Sequence, residues 1–175
     1  MKIIIIVLLV LLILFIGLML FFKSFYKMNN KELVPREEII IGQSDKKALI
    51  LYQKSRHETA YNIAKQAREE LYKNGYTVIT NYPSSMCNYD VNKFDIVILG
   101  SCVYMGMLSE NLFKFLEKSK IVNKKIIIFS GGSDDTKLTE FDKLLSIIDK
   151  SNIVKTVKIV NGNYEKINQV IDELI

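Results

Sequence analysis

Cysteine and histidine are nearly missing from this chain of 175 residues, which has two of the first and one of the second. Cys87 and Cys102 are too few and too loosely spaced for a disulfide framework, and no CxxC or Cys/His cluster could hold zinc. That usage places the domain in a reducing compartment. The lone histidine, His57, has no partner in the sequence with which to build acid–base catalysis. Other absences exclude whole classes. No G-x-G-x-x-G follows the first strand signal, which excludes a dinucleotide-binding domain. No G-x-S-x-G is present for a nucleophile elbow. The first and third strand signals end in Leu51-Tyr52 and Leu99-Gly100, without the acids that a phosphoryl-accepting receiver needs. The formal net charge of +5 is spread along the chain. With no basic stripe interleaved with aromatics, nucleic acid is excluded as a partner. There is no internal repeat and no low-complexity tract.

What the chain does have begins at its amino end. From Ile3 to Phe22 runs an apolar stretch interrupted only by Gly17. About 20 such residues in a helix rise roughly 30 Å, the thickness of a bilayer's hydrocarbon core. A cleaved signal peptide would have a shorter apolar region and small residues at a cleavage site. Here the run ends in Phe21-Phe22-Lys23-Ser24-Phe25-Tyr26-Lys27. Residues 1–26 are therefore read as a transmembrane anchor in contact with membrane lipid, with Phe25 and Tyr26 at the interface. Lys23, Lys27 and Lys31 follow the span and only Lys2 precedes it, which favours a cytoplasmic domain at the cell membrane. The basic excess also suits anionic headgroups. Residues 27–46, polar and holding Pro35, read as a linker, with Ile39-Ile40-Ile41 its one apolar run.

Residues 47–175 alternate strand and helix signals. Short apolar runs at residues 48–52, 76–80, 94–99, 125–129 and 154–160 read as buried strands. Amphipathic stretches at 59–73, 109–118, 136–150 and 164–174 read as helices, the first stopped by Asn74-Gly75. Asp134 and Asp135 read as the opening of the third of these helices. Between Thr80 and Phe94 there is room only for a helical turn or two, begun at Ser84-Ser85. Five strands with helices between them predict an α/β fold, a three-layer doubly wound sandwich around a parallel sheet. In such folds ligands sit beyond the carboxyl ends of the strands, so the loops after the first, third and fourth strands carry the function.

Three segments give those loops a family likeness: Leu51-Tyr52-Gln53-Lys54-Ser55-Arg56-His57-Glu58-Thr59, Ile98-Leu99-Gly100-Ser101-Cys102-Val103-Tyr104-Met105-Gly106, and Lys124-Lys125-Ile126-Ile127-Ile128-Phe129-Ser130-Gly131-Gly132. On these the chain resembles the flavodoxin family, near the short branch that includes the quinone-linked protoporphyrinogen oxidases of bacteria. The resemblance implies a flavodoxin-like sheet of order 2-1-3-4-5, FMN as cofactor, and electron transfer with a redox partner or quinone, either as a carrier or as an oxidoreductase.

In the first loop, backbone amides opening a helix suit the FMN phosphate. Ser55 and Thr59 offer hydroxyls, and Arg56 offers a guanidinium. The loop departs from the family in having no glycine: His57 stands where glycine is expected, and Glu58 adds a negative charge. In the second loop Tyr104 can stack on the flavin ring, with Ser101 and the backbone near Gly106 at the ring edge or ribityl chain. Cys102 lies between them and, without a partner motif, reads as a small buried residue, as does Cys87. In the third loop Ser130, Gly131 and Gly132 let the backbone approach a ligand, or simply form a flexible exit from the strand. Two functions remain open: an FMN-dependent redox protein at the membrane, or a flavodoxin-fold binding or scaffold module that has lost flavin.

Overall fold

Strands that alternate apolar residues on two faces need cover on both, and the sheet has it. The computed structural model describes residues 2–35, 38–134, 136 and 138–175. In chain order the elements are α1 (Lys2–Asn29), β1 (Ile39–Ile41), β2 (Lys47–Tyr52), α2 (Thr59–Lys73), β3 (Thr77–Asn81), β4 (Ile96–Cys102), α3 (Glu110–Ser119), β5 (Lys125–Gly132), α4 (Asp142–Leu145), β6 (Ile153–Val160) and α5 (Lys166–Asp172). The sheet order is β1-β3-β2-β4-β5-β6. All neighbours are parallel except β1, which runs antiparallel to β3. Counted among themselves, the five parallel strands have the expected 2-1-3-4-5 order.

Successive residues of each strand point to opposite faces. Ala48, Ile50, Ile96, Ile98, Ile127 and Phe129 face α2 and α5, where Ile63, Ala64, Ile167 and Ile171 complete one core. Leu49, Leu51, Val97, Leu99, Ile126 and Ile128 face Leu112 and Leu116 of α3 and Leu144 of α4.

Among the described residues the sheet has six strands rather than five. Ile39–Ile41, expected within a linker, pairs with Val78, Ile79 and Thr80 and covers the open edge of β3. Strands β4 and β5 also run farther than their apolar runs suggest, because the ladder continues through Ser101↔Ser130 and Cys102↔Gly131. The helix expected at residues 136–150 reduces to a 3-10 turn at Thr139–Phe141 followed by the single turn of α4. Glu140 in that turn points inward, where it accepts a hydrogen bond from Ser130 and pairs with Lys158. Asp134 is not helical, and Asp135 lies outside the described residues. The β3–β4 crossover holds a single turn at Ser84–Cys87, closed by the Cys87 amide on the Ser84 carbonyl at 3.1 Å, and a 3-10 turn at Val91–Lys93 capped by the Asp90 carboxylate.

Helix α1 is long and apolar enough to cross a membrane, with a mean hydropathy of 3.7 over its most apolar window. Its residues 2–24 are exposed; Phe25 and Tyr26 are half-buried, and Asn29 is buried against the domain.

Gly100 marks a close packing of neighbouring strands. A Cβ built on it would lie 2.4 Å from the ring of Phe129, its partner on β5, which is fully buried and has nowhere to go. Gly100→Ala should therefore lower the unfolding free energy by about 1–3 kcal/mol through overpacking. Denaturant titration checks this, and an unchanged midpoint would contradict it.

Candidate functional site

The first expected loop opens α2. Glu58 occupies its N-cap position with φ 55° and makes no side-chain cap. The left-handed conformation thus falls on Glu58, not on His57, which has an ordinary φ. Such a conformation costs a residue with a Cβ roughly 1–2 kcal/mol, and glycine almost nothing. The cap is supplied instead by Ser55, whose hydroxyl accepts from the Ala60 amide at 3.2 Å. The other first-turn amides of α2 have no intrahelical acceptor, as at any helix start.

The second loop is a tight turn. Tyr104 and Met107 exchange backbone hydrogen bonds of 3.0 and 3.1 Å, and the two residues between them, Met105 and Gly106, have φ 53° and 75°. Two left-handed central residues are the mark of a type I′ turn. Ser101, fully buried, anchors its base: its hydroxyl accepts from the Ser109 amide at 3.0 Å and donates to the Cys102 carbonyl at 3.1 Å. The Tyr104 hydroxyl reaches the first loop, accepting from the Arg56 amide at 3.4 Å.

The remaining candidates separate into two groups. Cys102 sits beside Ser55, Thr59 and the Ala60 amide, and a Cβ on Gly131 would lie 3.0 Å from its sulfur and 3.1 Å from Thr59 Cγ2. Gly131 is therefore small so that the start of α2 can pack on the sheet. Ser130 and Gly132 belong to a different neighbourhood. Ser130 is buried and donates to Glu140 Oε1 at 3.0 Å. Lys158 Nζ lies 2.9 Å from the same oxygen, both side chains being out of solvent, and a Cβ on Gly132 would lie 3.3 Å from Lys158 Cε. These three glycine and serine positions are strand residues of β5, not a loose exit loop, because β6 pairs with them to the end.

The residues that sequence reasoning missed join the end of α1 to these loops. Asn30 Oδ1 accepts from the Glu110 amide at 2.8 Å and from the Ser109 hydroxyl at 3.3 Å, closing the amino end of α3 from outside. Gln53, the first residue after β2, donates to the Lys31 carbonyl at 3.1 Å. Asn111 donates to the Asn30 and Lys31 carbonyls, each at 3.3 Å, and to Gln53 Oε1 at 3.1 Å. Farther along, Glu32 accepts from the Ser84 hydroxyl at 3.0 Å and the Ser85 amide at 2.6 Å. These bonds to Ser85 and Ser84 hold its carboxyl below the usual carboxylate range. Before the strap, the Tyr26 hydroxyl donates to Glu110. A polar strap, residues 29–32, therefore crosses the carboxyl edge of the sheet. The cavity left between it and the Tyr104 turn is small, about 30 Å³. Larger cavities of about 270 and 380 Å³ lie against α3 and α2 respectively, beside the loop and the end of β3. Nothing periodic announces such a strap, but a run of Asn29-Asn30-Lys31-Glu32 directly after an apolar helix is its one local signal.

Burial pushes the Cys102 thiol above its ordinary value, an effect partly offset by hydrogen bonds from Ser55, the Ala60 amide and Thr59. A raised pKa leaves the neutral thiol dominant at pH 7–8, the unreactive form. Alkylation of native Cys102, followed by peptide mass spectrometry, should begin at higher pH than that of the unfolded chain. Equal pH profiles would contradict this.

Residues 49–168 match the model of a flavodoxin domain family. An uncharacterized protein of Methanocaldococcus jannaschii is 39% identical over 84 residues, 48% of this chain; the chain spans about half, 53%, of that relative. Among solved structures, a flavodoxin from Streptococcus pneumoniae TIGR4 superposes with a TM-score of 0.54 at 20% identity, over 73% of this chain and 97% of that one. Oxidised flavodoxin 2 of Bacillus cereus gives the same figures, 0.54 and 20%, over 73% and 97%. An NADH:FMN oxidoreductase in its apo form gives 0.58 at 12% identity, over 74% and 88%. At such identities the structures speak for the fold, while the family match covers most of the chain. The chain belongs to the flavodoxin family, whose domain implies FMN as cofactor.

Proposed function

We propose that this chain is a membrane-anchored FMN-binding electron-transfer protein, working at the cytoplasmic face with a redox partner or quinone held in the membrane. The observation that carries the reading is the junction of α1 with the domain. Directly after the apolar helix, Asn30 and Lys31 are hydrogen-bonded to Ser109, Glu110, Asn111 and Gln53, at the carboxyl edge where α/β folds take their ligands. An anchor fixed there keeps that edge near the bilayer.

Several residues of the first two loops suit the cofactor. At the phosphate end, the unpaired first-turn amides of α2 suit an anion, Thr59 adds a hydroxyl, and Arg56 can pair with the phosphate. Ser55 acts one step back, through its cap on the Ala60 amide. At the ring end, Tyr104 supplies the aromatic face, with Gly106 and the second-loop backbone beside it. The cavity beside Tyr104 is about 30 Å³, so a ring stacked there requires the turn and the strap to part. When bound, FMN supplies the capacity to take up and release electrons. The chain's part is to hold the phosphate, stack the ring and limit water through the strap. Glu58 works against binding, since its carboxylate stands at the anion end in a strained backbone.

The full-length chain in detergent should bind FMN in calorimetric titration. Tyr104→Ala should weaken binding by about 1–3 kcal/mol, by analogy with base–aromatic stacking. Arg56→Ala should weaken FMN more than riboflavin, because only FMN carries the phosphate. Glu58→Gly should tighten it by removing a like charge from the anion end. Absence of heat in the micromolar range would favour the alternative, a flavodoxin-fold scaffold without flavin.

For the anchor, the chain should stay in the membrane pellet through high-salt and carbonate washing. Protease added outside intact cells should spare the domain. Release by carbonate, or digestion without permeabilisation, would overturn the anchor or its orientation respectively.

A further inference from the structure

We infer that the Tyr104–Met107 turn is a lipid-contacting surface, seated in the headgroup layer of the membrane that α1 crosses. The inference rests on α1 being a membrane span, and goes beyond it by placing particular domain residues in the lipid.

Depth is the first argument. If the hydrocarbon ends near Phe22, then Tyr26 lies about 6 Å and Asn29 about 10 Å farther along the helix. Headgroups occupy about 5–7 Å on each side of the hydrocarbon. Tyr26 and Asn29 line one small cavity together with Tyr104 and Met107. The junction has no slack, because Tyr26 is bonded to Glu110 and Asn30 to the amide of the same residue. The turn shares its cavity with both residues and is thus held at the outer boundary of the headgroup layer.

Strain is the second argument, and it is independent of depth. Met105 adopts φ 53° and is 60% exposed, while Met107 is 43% exposed. A methionine gains nothing from the fold at an exposed, left-handed position that glycine or asparagine would fill without cost. Strained residues that the fold does not require point to a function served elsewhere. A flexible, unbranched apolar side chain suits a fluid interface. Basic side chains fit the same surface: Lys27 lies on the last turn of α1, and Lys143 lines the cavity beside Tyr104. Both can meet anionic headgroups. Exposed apolar residues also occur at the opposite, amino end of the sheet, such as Ile153 at 56%. That end lies about a strand length away, roughly 25 Å for eight residues, and serves as the internal control.

The chain has no tryptophan, so a single introduced indole reports its own surroundings. Full-length Met105→Trp, Met107→Trp, Ile153→Trp and Phe22→Trp are reconstituted in vesicles of phosphatidylcholine and phosphatidylglycerol, with ordinary or brominated acyl chains. Met107 has an ordinary φ, so its variant gives a reading free of the strain at position 105. The indoles at 105 and 107 should lose emission in brominated lipid, as should that at 22, while the one at 153 keeps its intensity. Quenching at 22 without quenching at 105 and 107 overturns the lipid-contacting turn and leaves the span standing. Equal quenching at 105 and 153 overturns it also, since the domain then has no preferred edge. No quenching at 22 removes the span itself, and the inference with it.

Discussion

The junction between α1 and the sheet depends on buried amides that cannot be left unpaired. Gln53 is 1% exposed and Asn111 7%, and an unpaired buried polar group costs about 1–3 kcal/mol. Their donors find the carbonyls of Asn30 and Lys31. Asn30 in turn satisfies two groups at the start of α3. The strap is therefore held by what the domain would lose without it. From that constraint follow the direction in which α1 leaves and the edge of the sheet that it leaves from.

The loops around this junction carry two non-glycine residues in left-handed backbone, Glu58 and Met105. Each sits in a loop at the carboxyl edge of the sheet, and in each glycine would be the easier choice. At Glu58 the cost falls on the start of α2. At Met105 the cost leaves an apolar side chain outside the core. The two loops also meet, through the Tyr104 hydroxyl and the Arg56 amide, so a change in one is felt in the other.

Much of this architecture was legible in the sequence because burial on both faces writes itself as short, near-continuous apolar runs. Helix α2 has the predicted limits, residues 59–73, set by Asn74-Gly75 at one end. The order of the parallel strands came from family likeness, not from periodicity. What was not legible had polar causes. Ser101, Ser130 and the two glycines after it look like loop residues but lie in strands, because backbone pairing is indifferent to side chain. The helix expected at residues 136–150 gives way to the inward Glu140 and its buried partner Lys158. The strap and β1 are too short to show a period. Of the candidate site, the first and second loops do approach each other, whereas Ser130 and Gly132 pack toward Lys158 instead.

Electron carriage at a membrane is tested most directly by following the flavin itself. The full-length chain, loaded with FMN in lipid nanodiscs and chemically reduced under anaerobic conditions, is mixed with a quinone whose long isoprenoid tail confines it to the bilayer. Flavin absorbance then reports reoxidation. With the quinone in the same disc, reoxidation should be fast and independent of disc concentration. With it in separate discs, reoxidation should be slow and concentration-dependent. Failure to load FMN, or equal rates in the two arrangements, would contradict a flavin edge held at the membrane for electron transfer.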